Sequence, residues 1–110
     1  MALTQSPEIS IIVPTYREAE SLPALIERLA QLRKREGLDL EVLVVDDNSR
    51  DGTDQVLADL AEPWLELVVR TTDRGLSQAV LHGLGRARGQ FLVVMDADLS
   101  HPPETIPNML

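Results

Sequence analysis

Two aspartates, Asp96 and Asp98, follow an apolar run at residues 91–95 with a single alanine between them. Carboxylates this close repel each other by several kcal/mol at low dielectric, so either one takes up a proton or both face a cation. The chain contains no cysteine, and a site with oxygen ligands alone favours a hard ion such as Mg²⁺ or Mn²⁺. Because Mg²⁺ usually keeps water and substrate phosphates in its coordination shell, such a site suits a diphosphate. Taken alone, the aspartate pair is equally typical of a strand that ends in a turn.

Polar residues also follow two other apolar runs, in the segments PTYRE at residues 14–18 and DDNS beginning at Asp46. Asp46 and Asp47 lie at the end of a predicted strand, where one of them is free to accept a hydrogen bond from a nucleobase N–H. Residues 47–58 match part of a calcium-binding loop, but the twelfth position is Ala58, where that loop requires glutamate. A calcium loop is therefore excluded.

The apolar residues alternate between strand-like runs and helical stripes. Four runs predict β-strands, at residues 9–14, 40–47, 65–70 and 90–95. Between them, apolar residues at three- and four-residue steps predict helices, at residues 22–32, 56–60 and 76–87. Pro102 and Pro103 mark the start of a further helix.

This β-α-β-α-β-α-β order predicts an α/β fold with three αβα layers, in which a mostly parallel sheet is covered by helices on both faces. The usual doubly wound arrangement gives the strand order 3-2-1-4, with the reversal between the first and fourth strands. Open sheets of this kind bind ligands at the carboxyl ends of their strands. The three polar segments therefore converge on one crevice.

Composition narrows the class of protein. With 110 residues, the chain has room for one domain; we expect residues 1–8 to form a flexible lead-in and residues 9–110 to form the domain. The net charge of −8 argues against binding to nucleic acid, which requires a basic face. No apolar run approaches the roughly eighteen residues of a membrane span, and the absence of cysteine is compatible with the cytoplasm.

Four segments together resemble the family 2 inverting glycosyltransferases with the GT-A fold: VPTYREAESLP, VVDDNSRDGT, GLSQAVLHGL and MDADLSHPPE. Within that family they are similar to the dolichyl-phosphate and polyprenyl-phosphate mannosyltransferases. The resemblance covers residues 9–110 and implies a Rossmann-like, nucleotide-binding half of a GT-A domain. Relatives commonly have asparagine where this chain has Arg17, a position to which we assign no ligand.

The resemblance implies residue roles. The nucleotide-sugar site would be formed by Pro14, Tyr16, Glu18, Val45, Asp47, Asp96, Ala97 and Asp98. Asp47 would hydrogen-bond the base. Asp98 would be the main ligand of Mg²⁺ or Mn²⁺, Asp96 would contact ribose or metal-bound water, and Ser100 is a second, weaker candidate for the metal shell.

The implied reaction moves mannose or glucose from a nucleotide diphosphate sugar, such as GDP-mannose, to a polyprenyl or dolichyl phosphate. Because family members run to well over 200 residues, we expect an inactive N-terminal fragment that lacks the acceptor-side residues, so no catalytic residue is assigned. The full-length protein would act at the cytoplasmic face of a membrane. Two alternatives stay open: another nucleotide-sugar enzyme such as a nucleotidyltransferase, and a non-catalytic α/β module that associates as a homodimer through an exposed sheet edge.

Overall fold

Strands and helices alternate along the chain in a computed structural model that describes residues 7–72, 74–100 and 102–109. Residues 108 and 109 are described by their backbone alone. The strands are β1 (Ile9–Thr15), β2 (Leu40–Asp46), β3 (Leu65–Val69) and β4 (Phe91–Val94). The helices are α1 (Leu22–Glu36), α2 (Thr53–Leu60), α3 (Leu76–Arg86) and α4 (Ile106–Met109), the last preceded by a 3₁₀ turn at Pro103–Thr105. No helix in these described ranges is long and apolar enough to cross a membrane.

The four strands form one parallel sheet in the order β3-β2-β1-β4, which confirms the predicted arrangement. β1 and β2 lie in the centre, and every residue of both strands is buried. Their almost unbroken apolar runs follow from this position, since helices cover both faces and neighbouring strands cover both edges. The chain reverses direction across the sheet between β1 and β4, and this reversal opens a crevice at the carboxyl edge.

The main core lies between the sheet and α1. The helix buries one apolar face, formed by Leu22, Leu25, Ile26, Leu29 and Leu32. Each such side chain contributes about 1.5–3 kcal/mol when it is fully buried. α1 begins just after Ser21, and it ends at Gly37 with φ of 64°, a left-handed conformation that glycine adopts without strain.

α3 covers the opposite face through a much smaller core of Ile12, Val45 and Ala79. The predicted apolar stripe of this helix is wrong at Leu76, which is 66% exposed. Leu76 is the first helical residue after Gly75, so it projects beyond the sheet and contacts the crevice at its carboxyl edge. A helical period identifies a face but not how far the sheet beneath it extends.

Strand boundaries differ from the predictions by one residue at an end, while α2 begins three residues before its predicted apolar stripe and α1 ends four residues after its own. β1 continues through Thr15, β2 ends at Asp46, and β4 has four residues instead of six. Residues 1–6 of the predicted lead-in lie outside the described residues. The backbone of Glu8 joins the sheet, since its N–H donates to Asp39 O at 2.8 Å and its carbonyl accepts the Phe91 N–H at 3.0 Å.

A buried carboxylate on β2, Glu41, ties the α3–β4 connection to the sheet. Glu41 accepts hydrogen bonds from Ser10 Oγ at 2.5 Å and from the Arg88 backbone N–H at 2.8 Å, and it forms an ion pair with the Arg88 side chain. Burial disfavours its charged form, but the bonds from Ser10 and Arg88 outweigh burial and hold the pKa of Glu41 below its ordinary value. This carboxylate is satisfied internally and has a structural role.

Candidate functional site

A cavity of about 150 Å³ opens at the carboxyl edge of the sheet, where β1 and β2 end and α3 begins. Its lining comes from four separate parts of the chain: Pro14, Thr15, Tyr16, Glu18, Asp47, Leu76, Ala79 and Asp96. Five of the predicted nucleotide-site residues therefore meet in one cavity. Leu76 and Ala79 were missed as lining residues because the sequence pattern assigned them to the face of a helix. Thr15 lies in the polar segment PTYRE but was not among the assigned site residues.

Asp47 is the most informative residue in this cavity. Its side chain is only 8% exposed, and Oδ2 accepts the Gly75 N–H at 2.7 Å. Oδ1 is buried and has no hydrogen-bond partner in the described part of the chain. A buried polar atom without a partner costs about 1–3 kcal/mol, so this oxygen is available to a hydrogen-bond donor that enters the cavity.

The neighbouring Asp46 has a different role. Its carboxylate accepts Thr15 Oγ1 at 2.7 Å, Ser49 Oγ at 2.6 Å and the Ser49 N–H at 2.8 Å. Asp46 is therefore occupied in joining the ends of β1 and β2. The alternative that the sequence left open between two adjacent aspartates is decided by these contacts, which leave Asp47 with an oxygen available to a ligand.

Ser49 and Asp51 fix the loops that carry the site. Ser49 Oγ accepts the Arg17 N–H at 2.7 Å, and Asp51 Oδ2 accepts the Ala19 N–H at 3.2 Å. The N-cap of α2 is Gly52, so neither Ser49 nor Asp51 occupies that position. Ser49 bonds across to the loop after β1 instead, while Asp51 also accepts the Thr53 N–H at 3.2 Å. These hydrogen bonds join the loop after β1 to the loop after β2.

Glu18 reports the electrostatic character of the cavity. Its Oε1 accepts the Tyr16 N–H at 3.2 Å. Burial raises the pKa of Glu18, the bond from Tyr16 opposes this shift, and the negative charges of Asp98, Asp96 and Asp46 raise it further. The charges of these aspartates are therefore close enough to Glu18 to disfavour its ionised form. A bound cation there would relieve the repulsion.

The segment after β4 presents the aspartate pair. Met95 and Ala97 are buried in the main core, so Asp96 and Asp98 alternate with them and lie exposed. Asp98 Oδ1 accepts the Ser100 N–H at 3.0 Å, which bends the chain immediately after the pair. Further along, an ion pair from Arg28 of α1 to Glu104 anchors the segment.

The predicted metal ligands were Asp96, Asp98 and Ser100. Within residues 7–72, 74–100 and 102–109, no three His, Cys, Asp or Glu side chains group closely enough to enclose an ion. Mg²⁺ and Mn²⁺ do not require such an enclosure, because one or two protein carboxylates suffice when phosphate oxygens and water supply the remaining ligands. Two exposed carboxylates that repel a third, Glu18, fit that chemistry. Ser100 is exposed, and its backbone N–H bonds to Asp98.

Three of the eight predicted nucleotide-site residues do not line the cavity: Asp98 is exposed outside the lining, and Val45 and Ala97 are buried. Val45 is fully buried against α3 with Ile12 and Ala79, and Ala97 is fully buried in the main core. Both were assigned through the resemblance and not through their own chemistry. In the structure they support neighbours that do face the crevice, namely Asp47 and the aspartate pair.

A second, larger cleft of about 580 Å³ adjoins the first at Tyr16. It is lined by Tyr16, Arg17, Asn48, Ser49, Arg50, Asp51 and Arg74. No single sequence motif predicts this cleft, because its three arginines come from three different loops. Each of those loops follows the carboxyl end of a different strand. The position of one arginine in each loop is the sequence signal that could have found the cleft.

The sheet order, the crevice at the β1–β4 reversal and the flanking helices form the Rossmann-like arrangement of the GT-A glycosyltransferase fold. The profile of glycosyl transferase family 2 matches residues 10–110, and the chain belongs to this family.

Named relatives refine this placement. The chain is 42% identical to a dolichol-phosphate mannosyltransferase of Mycosarcoma maydis over 97% of its length, and 46% identical to that of Saccharomyces cerevisiae over 94%. It covers 38% and 40% of those two proteins. Among solved structures it resembles the mannosyltransferase PcManGT of Pyrobaculum calidifontis in complex with GDP-Man and Mn²⁺, with 34% identity and a TM-score of 0.76 over 93% of this chain and 30% of that one.

Proposed function

We propose that the chain is the donor-binding part of an inverting, divalent-metal-dependent glycosyltransferase. It would take a mannosyl or glucosyl group from a nucleotide diphosphate sugar and serve transfer to a polyprenyl or dolichyl phosphate. The observation that carries the proposal is the unpartnered, buried Oδ1 of Asp47 inside a cavity at the β1–β4 reversal. The mannosyltransferase relatives support the choice of sugar and acceptor.

In this proposal the nucleoside occupies the cavity beside Asp47. A ring N–H of guanine or uracil donates to Asp47 Oδ1. Because the acceptor is a carboxylate, this hydrogen bond is charge-assisted and strong. Pro14 and Tyr16 form an apolar wall for the base, and Asp96 lies where the ribose and diphosphate leave the cavity. Glu18, whose pKa is raised by burial and by nearby carboxylates, becomes more favourable as a carboxylate when a cation is present.

Asp96 and Asp98 would hold Mg²⁺ or Mn²⁺, with Ser100 as a weaker candidate. When bound, the ion neutralises the diphosphate, which makes the nucleotide a better leaving group. A lipid phosphate acceptor is already anionic and attacks the opposite face of the sugar without a strong general base. We expect inversion because a single displacement from the face opposite the leaving diphosphate reverses the configuration of the anomeric carbon.

We expect this chain of 110 residues to bind donor without transferring sugar, since it spans about two fifths of the length of the fungal relatives. The acceptor would then be bound by other parts of the full-length protein. We propose that this protein works at the cytoplasmic face of a membrane.

Calorimetric titration with GDP-mannose and UDP-glucose, each with and without Mn²⁺, tests donor binding. We expect Mn²⁺-dependent binding that Asp98→Ala removes and that Asp47→Asn weakens about tenfold, the effect of one hydrogen bond to a charged group. Asp59→Asn is the matched control, because Asp59 lies exposed on α2 and bonds only to Gln55 in the described chain. Equal affinities for the Asp47 and Asp59 variants would contradict the proposal.

The two alternatives predict other results. A nucleotidyltransferase would bind a nucleoside triphosphate with a sugar phosphate, yet the segment PTYREAE after β1 contains no glycine-rich phosphate loop. A self-associating module is favoured by the exposed apolar residues of β4, Phe91, Leu92 and Val94. It would form a stable dimer and bind neither sugar nucleotide.

A further inference from the structure

The larger cleft concentrates positive charge in a chain of net charge −8. Arg17, Arg50 and Arg74 all line it, and among the described residues of its lining Asp51 is the only acidic one. The oxygens of Asp51 accept hydrogen bonds from Ala19 and Thr53. The cleft therefore carries a net positive charge, although the protein around it is acidic.

Few contacts within the described residues compete with a ligand for the guanidinium groups of this cleft. No ion pair in the described ranges involves Arg17, Arg50 or Arg74. The guanidinium carbons of Arg17 and Arg74 lie 5.2 and 5.3 Å from the centre of the Tyr16 ring. At exposed positions such contacts contribute only about 0.5–1 kcal/mol, and they orient a guanidinium without using its N–H donors.

The backbone holds the cleft in an unusual conformation. Arg17, Asn48 and Arg50 have positive φ values of 58°, 57° and 57°, which residues with side chains seldom adopt. The bond from the Arg17 N–H to Ser49 Oγ joins the loop after β1 to the loop after β2. Left-handed conformations held by surrounding structure are common at ligand sites.

We propose that the cleft of Arg17, Arg50 and Arg74 is a pocket for a phosphate group, distinct from the donor cavity. The planar fork of a guanidinium donates two parallel hydrogen bonds to phosphate oxygens, and the volume of about 580 Å³ leaves space for the group that carries the phosphate. Of the residues that the structure describes, Tyr16 is the only one that lines both sites. The donor cavity is lined by carboxylates, so an anionic ligand needs a cation to bind there. The arginine cleft binds an anion directly.

The phosphate has two physical sources, a small soluble phosphate and the headgroup of an anionic lipid. Inorganic phosphate is the first probe, titrated at constant ionic strength without divalent ions and followed by backbone amide shifts. We expect saturable shifts at Arg17, Ser49 and Arg50, and about tenfold weaker binding in Arg50→Gln, as for the loss of one charge-assisted bond. Arg74→Gln repeats the test at a second position, so the result does not depend on one variant being folded.

Arg35→Gln is the matched control. Arg35 lies in the last turn of α1, which begins after the carboxyl end of β1 and ends before β2, so it is at the opposite edge of the sheet. Its loss should leave phosphate affinity unchanged. Equal weakening in Arg35→Gln and Arg50→Gln, or shifts that never saturate, would overturn the phosphate pocket.

A second arm identifies the source. Phosphatidylcholine vesicles with a minority of phosphatidic acid are sedimented with the chain, and pure phosphatidylcholine vesicles serve as the blank. Co-sedimentation that is lost in Arg50→Gln supports a lipid headgroup, and saturable phosphate shifts without co-sedimentation support a soluble ligand. If GDP with Mn²⁺ displaces the phosphate, the cleft is part of the donor site and its separateness is refuted. Failure of donor binding alone leaves this inference unaffected.

Discussion

Adjacent residues of the same type have opposite roles at the end of β2. Asp46 is saturated by Thr15 and Ser49 and holds two loops together, whereas Asp47 retains a buried oxygen without a partner in the described chain. The contacts of the two side chains differ because Asp46 is the last residue of β2, whereas Asp47 is the first residue of the loop that follows it. One carboxylate therefore faces the neighbouring loop and the other faces the cavity.

This contrast predicts a separation of stability from binding. Asp46→Asn replaces one oxygen with an NH₂ group that cannot accept a hydrogen bond, so we expect a loss of about 1–3 kcal/mol in the free energy of unfolding. Asp47→Asn should change stability by less than about 1 kcal/mol but weaken nucleotide binding. Urea unfolding and calorimetry of both variants measure the two effects. A larger stability loss for the Asp47 variant would contradict the assignment.

Glu18 predicts a pH dependence whose sign is opposite to that of a stabilising carboxylate. Its pKa is raised above the ordinary value of 4.5 by burial and by the charges of Asp98 and Asp96. The ionised group therefore destabilises the folded chain above this raised pKa, and the penalty disappears as the pH falls through it. Glu18→Gln should be more stable than the parent at pH 7 and equal to it at pH 4.

Urea unfolding at the two pH values measures this difference, and Glu20→Gln, at an exposed position in the same loop, is the control. Mn²⁺ should reduce the advantage of Glu18→Gln if a cation binds near the aspartate pair. An advantage that persists at pH 4 would show that a cause other than ionisation is responsible.

For individual site residues, the sequence predicts which residue types form the site better than it predicts their contacts. Pro14, Tyr16, Glu18, Asp47 and Asp96 were predicted from motifs, and they line one cavity. The unequal partners of Asp46 and Asp47 depend on loop hydrogen bonds that no local pattern encodes. The arginine cleft was missed for the same reason, since its members become neighbours only after folding.

The packing of α3 on the sheet depends on glycine. A Cβ placed on Gly83 would lie 2.7 Å from Ile12 Cγ2 and 3.2 Å from Val45 Cγ2, both in the small core of that face. Gly85, two residues later in the same helix, has nothing within 4 Å of such a Cβ. The helix therefore lies close to the sheet at Gly83, whereas at Gly85 it faces open space.

A matched pair of substitutions follows. Gly83→Ala should lower the free energy of unfolding by about 1–3 kcal/mol, because it forces the buried Ile12 side chain or the helix itself to move. Gly85→Ala should raise it by up to about 1 kcal/mol, since alanine is the better helix former and meets no obstacle. Thermal and urea unfolding measure both changes. Stabilisation by Gly83→Ala would show that α3 is not closely seated.

Because Gly83 brings α3 against the sheet, its first turn and Gly75 reach the cavity, and the Gly75 N–H holds Asp47. The type and order of the elements were predictable, since β1, β2 and α1 are long and strongly patterned. The exposure of Leu76 was not, because the stripe of α3 continues past the edge of the sheet it covers. Such end effects depend on where neighbouring strands stop.

Charge and apolar surface are unevenly distributed over the whole molecule. The net charge of −8 makes copies of the chain repel each other, while the carboxyl edge of the sheet contains both an acidic cavity and a basic cleft. The two outer strands also differ. β3 has three partly buried apolar residues and one exposed one, Val69, whereas β4 has three exposed ones, Phe91, Leu92 and Val94.

The outer edge of β4 is therefore the place where we expect two copies to associate. Within the described residues β4 pairs with β1 alone, so its other edge presents unpaired backbone N–H and C=O groups beside apolar side chains. An edge of this kind is a template for pairing with a further strand. Two copies related by a twofold axis would pair their β4 strands antiparallel and cover the same side chains on each other.

Sedimentation velocity over a range of protein concentrations tests this association. We expect a monomer–dimer equilibrium that strengthens with added salt, because screening reduces the repulsion between two acidic copies. Leu92→Lys should shift the chain to monomer, since Leu92 is 48% exposed on β4 and a lysine there adds charge to the paired edge. Val69→Lys is the matched control, because Val69 is 46% exposed on β3, at the other edge of the sheet. Equal dimerisation of both variants and the parent would show that the β4 edge is not the contact.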